Sequence, residues 1–103
     1  MSQFFSPKTP MAVIKLGVDW TKALAELGDT IQSATWAITN TTDPSEVTTA
    51  MLQGAVDLSK TGQVWQKVSG GTAGCVYEHT CTVTTTGGQT IPYSVRQSVK
   101  ADS

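Results

Sequence analysis

Near the end of this chain two runs of alternating residues meet at adjacent glycines: CVYEHTCTVTTT at 75–86, Gly87 and Gly88, then TIPYSVRQSVK at 90–100. In an extended chain successive side chains point to opposite faces, so such runs place every second residue on one side of a sheet. Adjacent glycines supply the positive φ that a tight hairpin needs. The pattern predicts a β-hairpin whose Tyr77, Val83, Ile91, Tyr93, Val95 and Val99 face a core.

The same alternation recurs upstream. VIKLGVDW at 13–20 sets Ile14, Leu16, Val18 and Trp20 on one face, and DTIQSATWAI at 29–38 does so for Ala34, Trp36 and Ile38, with Ile31 competing with Trp36 for the interior. Between them TKALAEL has helical character for two turns and stops at Gly28, a residue suited to the left-handed helix terminus. NTTDP at 40–44 is turn chemistry. Residues 46–59 read as one or two strands broken near Gly54. QVWQKV at 63–68 turns Val64 inward and leaves Trp65 outward. Threonine makes up 17 of 103 residues, and β-branched side chains favour the pleated surface over the helix. About seven short strands in one domain predict an all-β antiparallel sandwich over residues 13–103, preceded by an extended arm, 1–12, in which Pro7 and Pro10 hold the chain open.

Charge excludes several classes of function. Seven basic and eight acidic residues give a net charge of −1, with one arginine and no basic stripe. Nucleic acid requires several simultaneous phosphate contacts, so it is not an expected partner. No apolar run reaches the ~20 residues of a membrane-spanning helix. The opening MSQFFSPKTP lacks the features of a secretory leader, which predicts synthesis in a reducing cytosol.

The stretch CVYEHTC carries both cysteines and the single histidine. On a strand Cys75 and Cys81 share a face but lie about 20 Å apart, beyond the ~7 Å reach of a disulfide. Cys75 and His79 are separated by about 13 Å, too far to converge on one zinc ion. His79 and Cys81 lack a third nitrogen or sulfur ligand, and no serine sits in a nucleophile elbow. The reading is a strand with a core-facing histidine and small buried thiols, with no catalytic residue, metal or cofactor.

SGGTAG at 69–74 lacks the GK[ST] ending of a phosphate loop and precedes a strand rather than a helix. Its Gly70, Gly71 and Gly74 are assigned a structural role in a crossover. Tyr77, three residues later, fits a tyrosine corner that ties a loop to backbone. Trp20 and Trp36 read as core. Phe4, Phe5 and the outward Trp65 are the candidate partner-binding residues; paired phenylalanines left in water are an association liability, so Phe4 and Phe5 either fold back on their own sheet or dock on a neighbour.

KTPMAVIKLGVDW, GDTIQSATW and VSGGTAGCVYEHTCTVTTTGGQTIPYSV resemble, in that order, the phage fiber–tail adaptor family of small Ig-like virion proteins. The matching positions are Lys8, Pro10, Asp19 and Trp20, then Gly28, Asp29, Thr30, Ile31 and Trp36, then residues 69–74 and Tyr77. The chain departs from that pattern at His79 and Cys81 and through residues 40–60. The resemblance implies an Ig-like sandwich in the virion tail, made in the host bacterial cytoplasm. It implies a non-enzymatic adaptor that forms a homo-oligomeric ring and joins the tail tube or neck to fibers or to the next ring. The alternative reading is an Ig-like carbohydrate- or receptor-binding module on the phage surface, for which Trp65 would be the platform.

Overall fold

A computed structural model describes residues 3–4, as backbone, and residues 8–100. Its strands are β1 (Gln3–Phe4), β2 (Ile14–Asp19), β3 (Ile31–Asn40), β4 (Leu52–Asp57), β5 (Gln63–Val68), β6 (Val76–Thr85) and β7 (Thr90–Ser98). Helix α1 (Thr21–Leu27) follows β2, and a single 3-10 turn (Thr49–Met51) leads into β4. One sheet has the order β1-β7-β6-β3 and the other β2-β5-β4, all pairs being antiparallel except the short β1 against β7. The fold is an all-β sandwich. Where about seven strands were expected, six form its body, and β1 adds a two-residue edge.

The alternation seen in the sequence becomes burial. Leu16 and Val18 on β2, Val64 and Val68 on β5, Trp36 and Ile38 on β3, and Tyr77, Cys81 and Val83 on β6 meet between the sheets. Trp20, Leu24 and Val99 extend that core. Ile14, Ile91 and Tyr93 pack against it half-buried, while Val95 is buried. The choice between Ile31 and Trp36 goes to Trp36: a bulge between Ile31 and Ser33 shifts the β3 register, and Ile31 stays half-buried.

Two local readings change. The region 46–59 yields one strand that runs through Gly54 instead of breaking there. Gly54 adopts φ 78° and the pairing with β5 shifts between Gln53 and Asp57, so one glycine bulge absorbs the lost alternation. Cys75 lies outside β6 and is only half-buried, whereas Cys81 is buried as expected.

The core also holds polar groups. Asn40, Gln66, His79, Thr85, Gln97 and Lys8 are all buried. Interior polar atoms need partners, and these side chains tie one element to the next. The Gln66 amide, for example, donates to the Gly54 carbonyl at 3.1 Å and so fastens β5 to the bulge in β4.

Candidate functional site

Strand β6 runs the length of the sandwich, and its two ends anchor two clusters of loops about 26 Å apart, from Tyr77 to Thr85. Each cluster is organised around a carboxylate.

At the Tyr77 end, Asn40 turns the chain after β3: its Oδ1 accepts the amides of Thr42 and Asp43 at 2.9 and 2.8 Å. This turn brings Glu46 under the glycine-rich loop. Glu46 accepts from the Asn40 amide at 2.8 Å, from the Tyr77 hydroxyl at 2.9 and 3.0 Å, and from the Thr72 hydroxyl at 3.2 Å. The Tyr77 oxygen in turn accepts the Thr72 amide at 2.7 Å, which places Tyr77 at the loop corner. Burial, ahead of the neighbouring Glu46, raises the Tyr77 pKa, so the phenol keeps the proton it donates. Gly71 sits at φ 102°, and a Cβ there would lie 2.9 Å from the Val99 side chain; only glycine fits. Lys8 enters the same cluster. Its buried ammonium donates to the carbonyls of Gly70 at 2.5 Å and Thr9 at 2.7 Å.

At the far end, Asp29 reaches the tip of the β6–β7 hairpin. Its carboxylate accepts the Gly87 amide at 3.0 Å, the Thr30 amide at 2.9 Å and the Thr86 hydroxyl. Those bonds, the Thr86 hydroxyl foremost, hold its pKa down at about 2. Asp19 accepts the Thr21 amide at 2.9 Å where α1 begins, and Gly28, at φ 66°, ends that helix in the left-handed conformation. Between α1 and the turn that follows β4 opens a pocket of about 380 Å³ lined by Leu24, Asp29, Leu58 and Lys60 among others.

Among the described residues five large apolar side chains are exposed, and they divide between these ends. Leu27 and Leu58 flank the Asp29 cluster. Val47 adjoins Glu46, and Met11 and Val13 precede Ile14, which pairs with Val68 next to the glycine-rich loop. Beyond Val76, the outward positions of β6 are by contrast the half-exposed Glu78, Thr80, Thr82 and Thr84, a solvated surface.

Within CVYEHTC, Tyr77, His79 and Cys81 face the interior. The Trp36 indole donates to His79 Nδ1 at 3.0 Å, with the rings edge-on. Burial pulls the His79 pKa to about 4 and pushes the Cys81 thiol up to about 11, so at neutral pH the imidazole is uncharged and the thiol protonated. Both cysteines are free. Among the described residues no group of three or more His, Cys, Asp or Glu side chains is placed to hold a metal ion, and no helix is long and apolar enough to cross a membrane.

Trp65 stands on the outer face of β5, directly opposite Gly17 on β2. Its ring lies so close over Gly17 that a Cβ there would come within 2.6 Å of it. The indole donates to Gln63 at 2.9 Å, and the Lys60 ammonium stands 5.7 Å from the ring centroid. The backbone of Phe4 pairs with β7, opposite Arg96. Its side chain and the whole of Phe5 lie outside the described residues.

The three sequence blocks thus converge on the two ends: Lys8 and residues 69–74 with Tyr77 at one, Asp19, Gly28 and Asp29 at the other. Glu46, Leu27, Leu58 and Val47 had no sequence signal of their own, whereas Asn40 makes the turn that NTTDP announced. A family model described as Podophage GP4 fiber-tail adaptor protein gp77 matches residues 8–96. The chain belongs to this family. The match begins at Lys8, and a search of curated proteins gave no match. As a fiber–tail adaptor the protein has a structural role in the virion, acting with other tail and fiber proteins.

Proposed function

We propose that this adaptor links the tail tube or neck to a fiber, or to the next ring of the tail, by gripping one partner at each end of the sandwich, without catalysis. The observation that carries this reading is the division of exposed apolar side chains between two loop clusters, each braced by a carboxylate. Apolar residues displayed on a folded frame make contact area at a lowered ordering cost on binding. Leu27 and Leu58 form one contact, Val47 with Met11 and Val13 the other. The N-terminal arm, with Phe4 and Phe5 as anchors, belongs to the second contact and supplies the meeting of copies in a homo-oligomeric ring. Trp65, spread over Gly17, supports the sheet more than it offers a platform for sugar rings.

Tails assembled without the protein provide the test. Adding the purified chain should restore fiber attachment, Leu58→Glu should block one partner, and Val47→Glu the other. Fiber attachment without the chain would overturn the linking role. Glycan binding by the purified chain, with no effect on attachment, would replace it with the surface-binding reading.

A further inference from the structure

We infer that the N-terminal segment is exchangeable: in an assembly the places beside β7 held by Gln3, Phe4 and Lys8 are filled by the same residues of a second copy of this chain. The inference rests on the adaptor reading, in which copies meet in the tail.

Within one chain three described residues of the segment join the sheet. Gln3 and Phe4 pair in parallel with Val95 and Arg96, and Lys8 makes a single bridge to Val99. The Lys8 amide donates to Ser98, the Lys8 carbonyl accepts the Lys100 amide, and the ammonium seals the join on Gly70. Every acceptor and donor on the sheet side of these bonds belongs to the body of the sandwich. A neighbour's segment therefore finds the same seat, and exchange keeps each of these bonds.

The connection to β2 has the character of a hinge. Residues 9–12 form one tight turn, closed by the Ala12 amide on the Thr9 carbonyl at 3.1 Å. Pro10 occupies its second position, and a residue before proline favours the extended form over the folded one. Met11 and Val13 lie in or beside this turn and are 82% and 58% exposed, two apolar side chains left in water by the closed arrangement. Opening the turn lets residues 8–14 span about 20 Å, enough to reach an adjacent molecule, and carries Met11 and Val13 into the contact.

Hinge length tests the idea in the full chain. Deleting Met11 and Ala12 removes the turn, so the segment can no longer reach its own seat but can still reach another. This variant should purify as a dimer or larger closed assembly, and adding Lys8→Met should return it to single-chain mass. A four-residue Gly-Ser insertion after Met11 should remain monomeric. The unmodified chain, refolded at millimolar concentration, should yield the same assembly and lose it slowly on dilution; it decides alone if the deletion variant does not fold. Only single-chain mass from both preparations overturns the exchange. A monomeric deletion variant that still restores fiber attachment would leave the adaptor reading standing, and a dimerising chain that tails do not need would leave the exchange standing without it.

Discussion

The Asp29 carboxylate accepts the Gly87 amide at 3.0 Å across 58 residues of sequence. It fixes the tip of the β6–β7 hairpin to the start of β3, and it does so at the exposed end of the molecule. A Cβ on Gly87 would lie 2.5 Å from Asp29 Oδ2, so the contact tolerates no side chain there. Asp29→Ala should lower the melting temperature and speed amide exchange at Gly87. Gly87→Ala should do the same by displacing the carboxylate. Exchange at Gly87 unchanged in both variants would show that the tip holds its shape unaided.

Tyr77→Phe removes the hydroxyl while keeping the ring. The Thr72 amide loses its acceptor and Glu46 loses a donor. A cost of about 1–3 kcal/mol is expected, the usual result of stranding partly buried groups. For a domain of this size that is a fall of at least about 4 °C in Tm. A calorimetric melt gives the answer, and an unaltered Tm would remove the corner from the list of stabilising contacts.

His79 sets the acid limit of stability. Its folded pKa, about 4, lies below the unfolded value of 6.5, so the unfolded chain binds the proton more readily. Stability is full above pH 6.5 and falls as pH drops towards 4, by about 3 kcal/mol in all. Asp29, held down at about 2, loses its contribution only below its unfolded value of 3.8, outside that window. Urea titrations between pH 7 and 4 should show the slope in the native chain and lose it in His79→Gln. A slope that survives the substitution assigns the effect elsewhere.

Gly17 and Trp65 form a tight cross-strand pair. Gly17→Ala drives a methyl into the indole and should cost about 1–3 kcal/mol. Combined with Trp65→Leu, the same change should cost less than the sum of the two alone, a coupling read from a double-mutant cycle. Strict additivity would mean that the ring moves aside freely.

The hairpin and α1 were legible because their signals are local. Alternation from Tyr77 to Val83, two glycines at the turn, and Gly28 after two helical turns each act within a few residues. Residues 46–59 were not, because one glycine at positive φ inserts a bulge and breaks the period while the strand continues. The polar anchors were hidden for another reason. Glu46 meets Tyr77 across 31 residues and Lys8 meets Gly70 across 62, and nothing beside either residue announces a distant partner. Lysine usually lies at the surface, so composition argued against a buried ammonium. The division of Leu27, Leu58 and Val47 between two ends emerged only once the topology placed their loops.

The placement of both loop clusters at opposite ends of β6 has a mechanical consequence. Tension applied between the partners would pass along that strand, which is flanked by β3 on one side and β7 on the other. Under such a load both ladders are sheared along their whole length together, instead of unzipping rung by rung. On the proposed linking role, that is the direction in which a tethered fiber would pull.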